Sequence, residues 1–98
     1  MSNITVPQEK IADFCRRHQI RRLSFFGSVL GEEFRPESDV DVLVEFRPGA
    51  KRGMLALAAM EQQLSEILGR EVDMHTPGFL SKHFRDKVLA EAELQYAE

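Results

Sequence analysis

The sequence predicts an α/β fold in which helices cover a small mixed β-sheet. Apolar residues recur at helical spacing in three segments and alternate with a period of two in a fourth. Short β-prone runs fall between the helical segments. The resulting order is helix, strand, strand, helix, strand, helix and a final short segment.

Thr5-Val6-Pro7-Gln8 has the form of a capping box, with proline tolerated in a first helical turn. Ile11, Phe14, Cys15 and His18 then share one face, which predicts an amphipathic helix over about residues 6–19. Leu23-Ser24-Phe25-Phe26 is a β-prone run stopped by Gly27, and residues 27–38 form a connection rich in glycine and charge. Residues 39–46 make the clearest strand, with Val40, Val42 and Val44 on one face and Asp39, Asp41 and Leu43 on the other.

Arg47-Pro48-Gly49-Ala50 breaks that strand. From Gly53 to Leu68, the residues Met54, Leu57, Ala58, Met60, Leu64, Ile67 and Leu68 suit a helix, with Met54 and Met60 as ordinary helix packing. Gly69 stands where a C-cap glycine belongs. Glu71–His75 reads as a short strand ended by Thr76-Pro77-Gly78. A last helix over about 81–92 is expected to turn Phe84, Val88, Leu89 and Ala92 inward. Glu93–Tyr96 either extends that helix or forms an edge strand, and the strand is preferred.

Ninety-eight residues with 43% hydrophobic content lead us to expect one domain, residues 1–98, around one core. The single cysteine, Cys15, cannot close an internal disulfide and suits a reducing compartment. The first ten residues hold no apolar signal core, and no apolar run reaches membrane-spanning length, so a cytoplasmic location without membrane contact is expected. A net charge of −3 argues against a general nucleic-acid binder. Arg16, Arg17, Arg21 and Arg22 cluster ahead of the acidic Glu32, Glu33, Glu37, Asp39 and Asp41. Such a distribution suits metal ions and phosphates, and it equally suits ordinary surface charge.

The pattern with most chemical content is Gly27-Ser28, nine intervening residues, then Ser38-Asp39-Val40-Asp41. Residues two apart on a strand project to the same face about 6.5–7 Å apart, so Asp39 and Asp41 can bend toward one point or bridge a pair of ions. Without a cation their repulsion would raise one pKa, whereas Mg²⁺ favours one or two carboxylates completed by water and phosphate oxygens. A Gly-Ser turn after a strand offers backbone N–H groups and a hydroxyl to a phosphate. It is not a P-loop, because no Gly-Lys-Ser/Thr follows. Either half alone is more often a plain turn or a solvated acidic pair.

Together, from Phe26 through Val44, these residues resemble the signature of the DNA polymerase beta-like nucleotidyltransferase superfamily, and most nearly the minimal nucleotidyltransferases of bacteria and archaea. The resemblance spans nearly the whole chain. It implies the polymerase beta-like fold, with Gly27, Ser28 and Ser38 at the nucleotide and Asp39 and Asp41 on two Mg²⁺ ions. It also requires a third carboxylate on a later strand. Asp73 stands there, with Val72 and Met74 facing the core and Asp73 sharing a face with Asp41. Many members have a second glycine five residues after the first; here Glu32 holds that place and Gly31 comes one residue early. His75 is expected to be a polar strand-end residue, and His18 and His83 lack metal-ligand partners at useful spacing.

The resemblance further implies transfer of a nucleoside monophosphate, with AMP from ATP as the expected case, to a hydroxyl group. The expected acceptor lies on a partner protein such as a HEPN-type toxin, which would make this chain an antitoxin. Two other readings stay open: a non-catalytic module that neutralises a partner by contact, and an RNA-modifying enzyme that uses the arginine cluster. Nucleic acid is disfavoured by charge, and homo-oligomerisation is left open.

Overall fold

A computed structural model describes residues 6–27, 39–50, 53–79 and 82–98. The elements are α1 (Gln8–Arg17), β1 (Ile20–Phe26), β2 (Val40–Phe46), α2 (Met54–Leu68), β3 (Val72–His75), a single 3-10 turn (Pro77–Phe79), α3 (Lys82–Glu91) and β4 (Glu93–Ala97). The four strands form one mixed sheet in the order β3-β2-β1-β4. β1 pairs antiparallel with both β2 and β4, while β2 and β3 run parallel. A parallel pair needs a crossover, and α2 supplies it. Among the described residues, no helix is long and apolar enough to cross a membrane.

The valine alternation decides which side of the sheet becomes the main core. Val40, Val42 and Val44 pack with Leu23 and Phe25 against Ile11, Phe14 and Cys15 of α1 and Met60 and Leu64 of α2. The opposite face carries a smaller cluster of Phe26, Leu43 and Val88, bordered by Ala92. This second cluster is small because Asp41, Asp73 and His75 take up sheet positions that would otherwise be apolar.

α2 also seals the exposed edge of β3. The Ser65 hydroxyl accepts from the Val72 N–H at 3.0 Å and donates to the Glu61 carbonyl at 2.8 Å, and the Glu61 carboxylate accepts from the Met74 N–H at 2.8 Å. The outward N–H groups of this edge strand are thereby occupied, which discourages pairing with another strand.

Several boundaries differ from those read in the sequence. α1 begins at Gln8 with Pro7 as its N-cap and no side-chain capping bond; Thr5 lies outside the described residues. Its end comes earlier than expected, at Arg17, because Gln19 takes a left-handed backbone (φ 59°) that reverses the chain. β1 starts at Ile20, three residues before the β-prone run, since Arg21 and Arg22 lie at exposed positions and Arg21 pairs with Glu45 of β2 at 3.7 Å. Gly69 does cap α2, with φ 69° and its N–H on the Ser65 carbonyl. Glu93–Ala97 forms β4 at the sheet edge, as expected, rather than extending α3.

Met54, Phe84 and Leu89 are more exposed than their spacing implies. Met54 is 79% exposed, together with its neighbour Leu55, because the sheet does not cover the first turn of α2. Phe84 and Leu89 are nearly half-exposed, and only Val88 of α3 is buried, in keeping with the small apolar area that face offers.

Candidate active site

The site grows out of strand register. Phe26, the last residue of β1, is the antiparallel partner of Asp41, and Asp41 is the parallel partner of Asp73. Leu43 is likewise the partner of His75. Strand parity then sends Asp41, Asp73 and His75 to the same face of the sheet, opposite the valines.

Their side chains converge. His75 Nε2 lies 3.5 Å from Asp41 Oδ1 and 3.3 Å from Asp73 Oδ2. The imidazole packs edge-on against the Phe26 ring, with centroids 5.3 Å apart and planes inclined at 64°. Asp41, Asp73 and His75 each offer one ligand atom, and all three atoms lie within 4.8 Å of one another. This set of carboxylate oxygens and one imidazole nitrogen fits a divalent cation.

The electrostatics agree with that fit. Burial pushes the Asp41 carboxyl above its ordinary range. His75 opposes this by its charge and its hydrogen bond, while Asp73 and then Asp39 repel the carboxylate and push it further up. The group is therefore held in a place that disfavours its charge, a condition that a cation would relieve.

Gly27 completes the described part of the site. It follows Phe26 with φ +77°, and a Cβ added to it would stand 2.5 Å from Asp41 Oδ2. Only glycine gives the Asp41 carboxylate this room while allowing the left-handed turn. Asp39, just before β2, is exposed. Ser28 and Ser38, and with them the expected phosphate-binding turn and Gly31, lie outside the described residues.

His75 is the residue that sequence reasoning undervalued. It looked like a polar residue at a strand end, yet it touches both central carboxylates. The available signal was its spacing of two from Asp73, which puts both on one strand face. Other reactive groups stay apart. His18 binds Gln63 at 2.9 Å, and Cys15 is buried in the main core with its thiol pushed up to about 12 by burial, partly opposed by Arg16.

Comparison with known proteins gives this geometry its context. A protein adenylyltransferase candidate of Methanocaldococcus jannaschii, MJ0435, is 37% identical over 90 residues, covering 92% of this chain and 95% of that protein. The structure of a minimal nucleotidyltransferase candidate superposes with a TM-score of 0.72 at 38% identity, covering 87% of this chain and 85% of that one. A tri-AMPylated HEPN toxin of Shewanella oneidensis in complex with an MNT antitoxin gives a TM-score of 0.68 at 19% identity, a likeness of fold, over 93% of this chain and 70% of that one. The family model described as the nucleotidyltransferase domain matches residues 8–95. With the resemblance in its sequence and the mixed sheet beneath its carboxylates, the chain belongs to the nucleotidyltransferase domain family.

Proposed function

We propose that this nucleotidyltransferase moves AMP from ATP to a hydroxyl of a partner protein, with Mg²⁺ or a similar divalent ion, and that it thereby acts as the antitoxin of a HEPN-type toxin. The observation that carries this reading is the convergence of Asp41 and Asp73 beside the side-chain-free face of Gly27. The adenylyltransferase relative and the AMPylated toxin complex support the choice of AMP and of a protein acceptor.

In the reaction the acceptor oxygen attacks the α-phosphorus in line as the bond to the β-bridging oxygen breaks, and pyrophosphate leaves. Asp73, whose side chain is 55% exposed, is reachable by an entering acceptor and would receive the hydroxyl proton on a carboxylate oxygen. Gly27 gives the Asp41 carboxylate its place beside the turn, and Ser28 and Ser38 would donate to the phosphates. Asp39, Asp41 and Asp73 would hold the cations. When bound, these would supply neutralisation of the phosphate charge and polarisation of the acceptor hydroxyl.

The test uses labelled ATP, Mg²⁺, this protein and the product of the neighbouring gene. The partner should acquire label as pyrophosphate appears, and Asp39→Asn, Asp41→Asn and Asp73→Asn should each lose labelling. An unlabelled partner that all three variants still neutralise would identify a contact-only module and refute the enzymatic reading.

A further inference from the structure

His75 is more than a neighbour of the carboxylates. Its Nε2 stands 3.5 Å from Asp41 Oδ1 and 3.3 Å from Asp73 Oδ2. Both separations lie at the long end for an N–H···O hydrogen bond, whose usual range is roughly 2.7–3.2 Å. Bonds of about 2.1 Å to a shared ion put adjacent octahedral ligands about 3 Å apart, so a small closing movement would bring Nε2 and both carboxylate oxygens to that spacing. The Phe26 ring packs on the imidazole and limits its rotation, so that Nε2 stays on the side of both carboxylates. The side chains of His75 and Asp41 are 28% and 29% exposed, which leaves the centre of the cluster partly shielded while Asp73 opens it to solvent.

We infer that His75 is a direct ligand of the ion held by Asp41 and Asp73, and that this nitrogen biases the site toward Mn²⁺ over Mg²⁺. The inference rests on the metal-assisted transfer reading above and goes beyond it by naming a ligand and a metal preference. Mg²⁺ is a hard ion that keeps to oxygen donors, whereas first-row transition ions also take imidazole. A face of two carboxylates and one imidazole therefore favours a first-row ion, and Mn²⁺ is the one that also suits the oxygen donors of a phosphate. If His75 only oriented the two carboxylates by hydrogen bonding, its loss would weaken all ions alike.

The experiment is electron spin-echo spectroscopy of Mn²⁺ bound to the whole protein, alongside titrations with Mn²⁺ and Mg²⁺. The parent should show nitrogen modulation from a bound imidazole, and His75→Gln should lack it. That variant should lose Mn²⁺ affinity on the order of 10–100-fold, with a smaller loss for Mg²⁺. His75→Asp, which restores an oxygen donor, should move the preference toward Mg²⁺. Circular dichroism melting of each variant verifies the fold. Bound Mn²⁺ without nitrogen modulation, or equal losses for both ions in His75→Gln, would overturn this inference alone. No Mn²⁺ binding that depends on Asp41 would overturn it together with the metal-assisted reading.

Discussion

Asp41→Asn should make the metal-free protein more stable while depriving it of stabilisation by metal. In the parent, the Asp41 carboxyl is partly buried and lies with Asp73 in a cluster whose ligand atoms fall within 4.8 Å of one another. Two unit charges at that distance repel by roughly 1 kcal/mol in water and about 3–4 kcal/mol at an effective dielectric near 20. The 55% exposure of Asp73 and the presence of His75 argue for the low end, so neutralising Asp41 should contribute on the order of 1 kcal/mol. For a chain of this size that is about 4–8 °C in Tm.

The sign is fixed by linkage. Because the folded-state pKa of Asp41 is raised, the native protein holds this proton more tightly than the unfolded chain does. The stability associated with the protonated group is complete below the unfolded value, about 3.9, and is lost as pH rises through the higher folded value. The Tm advantage of Asp41→Asn should therefore be largest at neutral pH and shrink as the pH falls toward the ordinary carboxylate range. Divalent metal should reverse the order of the two proteins. At 100 times its Kd an ion would stabilise the parent by about 2.7 kcal/mol, or roughly 10 °C and more, with little effect on the variant. The assay is thermal melting of both proteins from pH 4 to 8, with EDTA or with Mn²⁺. A lower Tm for Asp41→Asn in EDTA, or equal metal-induced shifts, would refute the reasoning.

Gly27→Ala should leave the protein folded but impair its site. The left-handed turn would cost about 1–2 kcal/mol, and the new Cβ would force the Asp41 carboxylate to move. The metal-induced Tm shift should fall together with partner labelling, whereas a variant with both intact would remove Gly27 from the site. Ser65→Ala should destabilise by about 1–3 kcal/mol in urea unfolding because the Val72 N–H loses its acceptor. Its metal-induced shift should match the parent's; a lost shift would mean that the β3 edge controls the position of Asp73.

The period-two pattern of residues 39–46 was enough to fix which residues face the core, because burial on one face admits a single parity. By the same parity, Asp73 could be assigned to the Asp41 side as soon as Val72 was taken as a core residue, and Gly69 marked its helix end by allowing a left-handed backbone. These signals are local, and a sequence carries them whole. The start of β1 at Ile20 was not legible, since Ile20 and Arg22 become strand residues only by pairing with β2 and, for Arg22, β4. Nor was the exposure of Met54, Phe84 and Leu89, because the extent of a helix's buried stripe depends on how far the sheet beneath it reaches. His75 shows the difference most clearly. Its spacing from Asp73 is written in the chain, but its contact with Asp41 exists only because α2 returns β3 parallel to β2 in a register that sets Asp41 beside Asp73 and Leu43 beside His75. The sequence alone determined the alternation and the family and pointed to the carboxylates; the tertiary structure decided that an imidazole joins Asp41 and Asp73, because register between distant strands is set by packing rather than by neighbours along the chain.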